Sequence, residues 1–202
     1  ELTAREPSMS LPQPAPAAAP CRDEGEHLWQ RWIDAEENPD GSLKAIRFKN
    51  PEHFNFAFDI VDEMAKAAPD KLAMLHIDRD KTERRFTFAD ISRLSNRAAN
   101  YFHSLGIRKG DRVLLMLRRH YQFWIAMMAL NKIGAVAILA SNQLLKKDLV
   151  YRFRAAGAKA VLCTATGDCA HQVELALKEC PEVTTRILVD GEREGWRSFD
   201  EE

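Results

Sequence analysis

Residues 110–143, "GDRVLLMLRRHYQFWIAMMALNKIGAVAILASNQ", decide how the rest of the chain is read. An apolar run from Val113 to Leu117 stops at Arg118, Arg119 and His120. An amphipathic stretch follows, and a second apolar run from Ala135 to Ala140 stops at Ser141 and Asn142. Short apolar runs separated by residues at helical spacing read as strand, helix, strand. Strands this uniformly apolar suit a parallel sheet buried on both faces by helices.

The same alternation extends outward. Upstream, Thr87 with Asp90 three residues on is a capping-box signature. Phe88, Ile91, Leu94, Ala98, Phe102 and Leu105 then follow at helical spacing until Gly106. Downstream, helix 146–156, strand 158–163, helix 170–179 and strand 185–189 continue it, after strand 112–117, helix 121–133 and strand 135–140. Residues 70–180 contain no proline, as an uninterrupted alternation requires. The expected fold is α/β, a Rossmann-like, mostly parallel sheet with helices on both faces.

Ahead of the alternation, "KLAMLHIDRD" and "ERRFTF" form a hairpin pattern turning around Lys81 and Thr82. In "NFAFDIVDEMAKAAPDK", Phe58, Val61, Met64, Ala65 and Ala68 share one helical face, with Asn55 as the cap and Pro69 after the end. Trp29, Trp32 and Ile33 also stand at helical spacing, before a Pro-Asp-Gly turn at 39–41. Five of the nine prolines fall in the first twenty residues, and that Pro/Ala-rich tract cannot donate regularly to helix or sheet. The division expected is a disordered leader at 1–22, an amino-terminal arm at 23–53 and part of an α/β domain at 54–202.

Bulk composition excludes several classes. Twenty-nine Lys and Arg against 30 Asp and Glu give a formal net charge of -1, so no global field draws the chain to nucleic acid. The four cysteines make neither C-x-x-C pairs nor a disulfide framework, and no histidine pair has zinc-ligand spacing. No apolar stretch approaches the roughly 18 residues of a membrane span, and the amino end lacks a signal-peptide core. A cytoplasmic protein with no transmembrane segment is expected.

In a parallel sheet all carboxyl ends lie on one edge, where such folds bind ligands. Arg118, Arg119 and His120, then Ser141 to Gln143, then Thr164, Thr166, Gly167 and Asp168 should line one rim. Two guanidiniums before a helix make a phosphate-attracting corner; the competing reading is a solvated loop or an ion pair with a nearby carboxylate. His76 reads as a satisfied core or edge histidine, His103 as helix surface and Cys163 as a small hydrophobe. The Tyr121, Phe123, Trp124, Met127, Met128 stripe reads as core packing rather than an acyl pocket. No Walker, dinucleotide-binding or nucleophile-elbow motif occurs, so the residues display a binding rim without a catalytic centre.

Taken together, "FTFADI", "LGIRKGDRV", "ALNKIGAVAI" and "GAKAVLCT" resemble the amino-terminal part of the acyl-adenylate-forming (AMP-dependent synthetase and ligase) superfamily. The chain is most similar to the medium-chain acyl-CoA synthetases through "FNFAFDIVDEMA" and "RRHYQFW". The resemblance covers about residues 24–202. It implies a carboxylic, medium-chain fatty acid activated by ATP with Mg2+ to an acyl-adenylate, followed by transfer to CoA. The family's phosphate loop, hinge and catalytic lysine lie beyond "GWRSFDEE", so this chain alone is expected to be inactive and to need the carboxy-terminal portion of the synthetase as its partner.

The resemblance also implies that CoA lies against the loops after two strands, here Ala140, Ser141 and Asn142, and Thr164 to Gln172. Where the acetyl-CoA branch supplies arginines in the second loop, this chain has Cys169 and Gln172; where the family commonly has proline, it has Leu139. The candidate CoA-binding residues are therefore Arg118, Arg119, Ser141, Asn142 and Thr164, with no catalytic or metal-binding residue assigned. Two alternatives stand beside this reading. One is a standalone Rossmann-like module that docks a separate catalytic polypeptide. The other is an independent nucleotide-binding domain, which the missing Gly-rich fingerprint disfavours.

Overall fold

The alternation that begins at Thr87 closes into one parallel sheet. The computed structural model describes residues 28–49 and 51–200; the Pro/Ala-rich leader expected at 1–22 lies outside them. Two hairpins precede the sheet: β1 (Ile33–Glu37) with β2 (Leu43–Phe48), and β3 (Leu72–Ile77) with β4 (Glu83–Thr87). Between them runs a helical segment ending in α1 (Glu63–Ala67). The alternation itself supplies α2 (Phe88–Ser104), β5 (Arg112–Met116), α3 (Gln122–Ile133), β6 (Val136–Leu139), α4 (Lys146–Ala156), β7 (Ala160–Thr164), α5 (Cys169–Leu177) and β8 (Thr185–Val189). A two-residue strand, β9 (Arg197–Ser198), completes it; two residues are too few for a period-2 pattern to announce.

The strand order is β6-β5-β7-β8-β9, parallel throughout. Side-chain alternation divides the central strands between two cores. Val113, Leu115, Leu162 and Ile187 face α2 and α3. Leu114, Met116, Val161, Cys163 and Leu188 face α4 and α5. Val113, Leu114, Met116 and all of β7 are fully buried or nearly so, which is why these segments read as unbroken apolar runs rather than alternating ones. Arg112 fastens one crossover: its Nε donates to the Ala156 carbonyl at 2.8 Å and its Nη2 to that of Gly157 at 2.7 Å. Gly157 ends α4 at φ +57, where a Cβ would lie 2.7 Å from the Arg112 guanidinium, so both backbone and space require glycine.

Two local expectations need correction. Trp29 and Trp32 do not begin a helix. Leu28–Arg31 makes one 3-10 turn and the chain then enters the β1–β2 hairpin. Three residues at helical spacing cover barely one turn, while Pro-Asp-Gly, with Gly41 at φ +82, provides a tight reversal that pairs ten flanking residues. In the next segment Asn55 does cap, its Oδ1 accepting from the Ala57 N–H at 3.0 Å. Residues Ala57–Asp62, however, are wound in π geometry, so Ala57 and Val61 turn inward and Phe58 is 45% exposed. Lys132, its side chain 3% exposed, ties this segment to α3 through Asp62 at 2.8 Å.

At the start of α2 the Thr87 hydroxyl accepts from the Asp90 N–H at 3.1 Å, and the Asp90 carboxylate takes the Thr87 N–H at 3.1 Å. That backbone hydrogen bond, then those from Arg93 and the Thr87 hydroxyl, hold the Asp90 carboxyl below its ordinary range. Thr87→Ala should therefore cost about 1 kcal/mol in denaturant unfolding at neutral pH. A depressed folded-state pKa gives stability present above the unfolded value and lost as pH falls through the folded one. The stability gap between wild type and Asp90→Asn should accordingly close on acidification below about pH 4.

Candidate functional site

β5 and β7 are neighbours, yet their following connections leave on opposite faces, β5 into α3 and β7 into α5. The two loops diverge and open a crevice outside the strand ends, the topological position at which open α/β sheets bind ligands. A cleft of about 650 Å³ lies there. Arg118, Arg119 and His120 enter it after β5, Asn142 after β6, Thr164, Thr166, Gly167 and Asp168 from the end of β7, and Asp190 after β8. Its remaining wall is the β3–β4 turn, with Asp78, Arg79 and Asp80. The sequence reading missed that wall. The signal was the charge density of "HIDRD", but nothing local shows that a hairpin will fold over a sheet edge.

Four of the five candidate residues line the cleft: Arg118, Arg119, Asn142 and Thr164. Ser141 lies outside its lining, exposed, with its hydroxyl accepting from the Gln143 N–H at 3.2 Å. Thr164 is 1% exposed and its Oγ1 accepts from the Thr166 N–H at 3.0 Å, so it shapes the loop more than it offers a contact. Arg118 and Arg119 are exposed, and among the described residues no carboxylate lies within ion-pair distance of either guanidinium. The ion-pair alternative for this dipeptide therefore does not hold.

The carboxylates of the cleft are all engaged. Asp78 pairs with Arg84, Asp80 accepts from the Thr82 N–H at 3.1 Å and hydroxyl at 2.9 Å, Asp168 accepts from Gln172 at 2.8 Å, and an Asp190 oxygen lies 2.9 Å from His120 Nε2. The Thr82 hydrogen bonds, backbone first, hold the Asp80 carboxyl below its usual range. Only Asp78 is paired with a cation; Asp80, Asp168 and Asp190 keep their charge while hydrogen-bonded or in contact elsewhere, and Arg79, Arg118 and Arg119 have no carboxylate partner among the described residues. The cleft can take an anion without first breaking an arginine–carboxylate pair of its own.

Beneath the rim the polar groups form a continuous chain. Gln122, 5% exposed, donates to Asp200 at 2.7 Å, and Asp200 accepts from the Asp190 N–H at 2.9 Å. His76 is held in β3 through a 2.8 Å hydrogen bond between its Nε2 and the Arg119 carbonyl, while its Nδ1 is buried without a partner. Cys163 is fully buried, and its hydrogen bond to Cys169 together with burial pushes its thiol far up, as suits a small hydrophobe. The same hydrogen bond draws the Cys169 thiol down. Within the aromatic stripe Met128 is buried, but Trp124 is 55% exposed, so core packing does not account for that ring. Among the described residues no three His, Cys, Asp or Glu side chains converge to hold a metal.

The family model described as AMP-binding enzyme matches residues 61–202. The acyl-coenzyme A synthetase ACSM5, mitochondrial, of Mus musculus is 36% identical over 159 residues, 75% of this chain and 27% of that protein. ACSM4, mitochondrial, of Rattus norvegicus is 33% identical over 158 residues, and ACSM3, mitochondrial, of Homo sapiens 33% over 159, each with the same coverage of 75% and 27%. The chain thus spans about a quarter of the length of the relatives it matches.

Because Gln122 joins α3 to the segment after β9, Gln122→Leu should strip Asp200 of its buried donor. We expect a loss of about 1–2 kcal/mol in denaturant unfolding with an unchanged denaturant slope. A change below about 0.3 kcal/mol would mean that water replaces the amide.

Proposed function

The chain belongs to the AMP-binding enzyme family, and from that premise we propose that it forms the amino-terminal part of an acyl-CoA synthetase. The whole protein would activate a carboxylic acid, of the medium-chain fatty class, with ATP and Mg2+ to an acyl-adenylate and then form the CoA thioester. Residues 54–202 contribute scaffold and CoA surface, with 23–53 as an arm and 1–22 as a leader. The observation that carries this reading is the cleft at the β5–β7 crossing, where Arg118 and Arg119 stand free while every neighbouring carboxylate is occupied.

CoA brings phosphates to such a surface, and the two guanidiniums supply charge and planar donor pairs to receive them. Asn142, half-buried in the same cleft, supplies a neutral amide beside them. ATP and Mg2+ are assigned to the rest of the protein. Val136 and Leu139 on the edge strand β6 are 47% and 55% exposed. An apolar strand edge of this kind suits further polypeptide packed beside it. The Arg118 and Arg119 side chains would act in the thioester-forming half of the reaction only.

Among the described residues no helix is long and apolar enough to cross a membrane, and Cys163, Cys169 and Cys180 are free thiols. We place the protein in a reducing aqueous compartment, the cytoplasm by its cysteine usage, whereas the relatives carry "mitochondrial" in their names. Imaging a tagged whole protein against matrix and cytoplasmic markers separates the two.

In the whole protein, Arg118→Gln combined with Arg119→Gln should weaken CoA binding by about three- to tenfold while acyl-adenylate formation stays within about twofold. The loss should shrink as salt rises, since exposed charges are screened over about 8 Å at physiological ionic strength. Equal loss of both half-reactions would make the pair structural; loss of neither would leave it merely solvated. Residues 1–202 alone should show no carboxylate-dependent pyrophosphate exchange above background. Exchange that survives repurification and vanishes on mutating this chain would overturn the division of labour.

A further inference from the structure

The loop that carries the two rim arginines is fastened by imidazoles on both sides. We propose that His120 is a positioning residue, with His76 as its counterpart, that fixes where Arg118 and Arg119 present their guanidinium groups; the inference rests on the reading of the cleft as a CoA phosphate surface. His120 Nδ1 accepts from the Arg118 N–H at 3.1 Å. A backbone N–H can only donate, so Nδ1 is bare and the ring is neutral, with its proton on Nε2, 2.9 Å from the Asp190 carboxylate. Asp190 is itself immobilised. It sits in the left-handed region at φ +59, its N–H donates to Asp200 at 2.9 Å, and its other oxygen lies 3.5 Å from buried Gln122.

On the far side the Arg119 carbonyl can only accept, so His76 Nε2 carries a proton toward it at 2.8 Å. The His76 ring stands edge-to-face on Tyr121 at 5.6 Å, and Tyr121 stacks on Phe86 at 5.0 Å. The loop backbone is thus tied at the N–H of one arginine and the carbonyl of the next, while both side chains stay free. Two adjacent like charges on an exposed loop have no apolar anchor. Ordering each of these residues on binding would cost backbone entropy. Fixing the peptide groups beforehand removes that cost from the binding step.

A histidine hydrogen-bonded to a carboxylate also suggests a general base. Here the lone pair such a base would use already receives the Arg118 N–H. His120 therefore acts through its neighbours and not on the ligand.

The test is CoA binding to the whole protein, with pantetheine, which lacks phosphates, as the control probe. In His120→Asn the side-chain oxygen falls near the Nδ1 position and can still accept from Arg118; in His120→Gln the amide reaches toward Asp190 and leaves that acceptor empty. We expect His120→Gln to weaken CoA about fivefold, His120→Asn to remain within about twofold of wild type, and pantetheine binding to be unchanged in both. In the Arg118→Gln, Arg119→Gln background, His120→Gln should have no further effect, because a residue acting through the arginines loses its role with them.

If the double arginine variant leaves CoA binding unchanged, the phosphate-surface reading itself fails. If it weakens CoA but both His120 variants bind as wild type, or both lose equally, the positioning role alone is overturned. An additive loss in the arginine-free background overturns it as well. Where a His120 variant unfolds, the ring nitrogen chemical shifts of wild-type His120 decide instead: a bare Nδ1 supports the clamp, and a protonated Nδ1 excludes it.

Discussion

A parallel sheet must bury both of its faces and must end all of its strands on one edge, and the remainder of this molecule follows from those two requirements. The first makes β5 from Val113 to Met116 and β7 from Ala160 to Cys163 apolar without a break, since Leu114 and Leu115 point into different cores while both are sealed from water. The second gathers every polar strand end in one place. Neither alone makes a site. The cleft arises because the connections after β5 and β7 depart to opposite faces, so the loops separate where the strands are adjacent. Arg118 and Thr164 meet across that gap although they are distant in sequence.

What the cleft can offer an anion depends on which groups are already engaged as well as on their count. Its walls hold four aspartates and three arginines, Arg79, Arg118 and Arg119, so a tally alone would make it mildly acidic. Each aspartate is nevertheless committed to a partner on its own loop or a neighbouring one, and each arginine is not. A hydrogen-bonded carboxylate keeps its charge but has part of its acceptor capacity taken and its orientation fixed. A free guanidinium keeps its full donor set for an incoming anion. The arginines are exposed, however, so each contact is worth little in water until a ligand and further polypeptide exclude it.

Most of the scaffold was legible in the chain because its signals are local or periodic. The capping box at Thr87 and Asp90, the glycine that ends the helix after it and the unbroken apolar strands each announce themselves within a few residues. The rim was legible at the level of strand ends, which placed Arg118, Arg119, Asn142 and Thr164 together before any contact was known. What remained hidden depends on tertiary placement. The Asp78–Asp80 wall comes from a hairpin about forty residues upstream of the loop it faces. Val61 turns inward as its spacing implies, but the burial of Ala57 in place of Phe58 follows from π winding that the spacing does not reveal. Ser141 lies on the correct loop but outside the cleft, because a loop's end is not yet a direction for its side chain.

The hairpin is more than a wall. His76 in β3 reaches the Arg119 carbonyl, Tyr121 stacks against Phe86 in β4, and the Arg84 guanidinium lies 5.7 Å from the centre of that same tyrosine ring. With the His76 ring edge-to-face on Tyr121, four contacts therefore join the hairpin to the short stretch between β5 and α3. Displacing the hairpin would cost several interactions of roughly 0.5–1.5 kcal/mol each, and they would be lost together because they share Tyr121 and its neighbours. The turn that carries Arg79 and the loop that carries Arg118 and Arg119 consequently hold one spacing. On the proposed reading, in which exposed arginines receive a phosphate, that fixed spacing would matter more than any single strong contact, since exposed charges contribute appreciably only when they converge on the ligand without being reordered first.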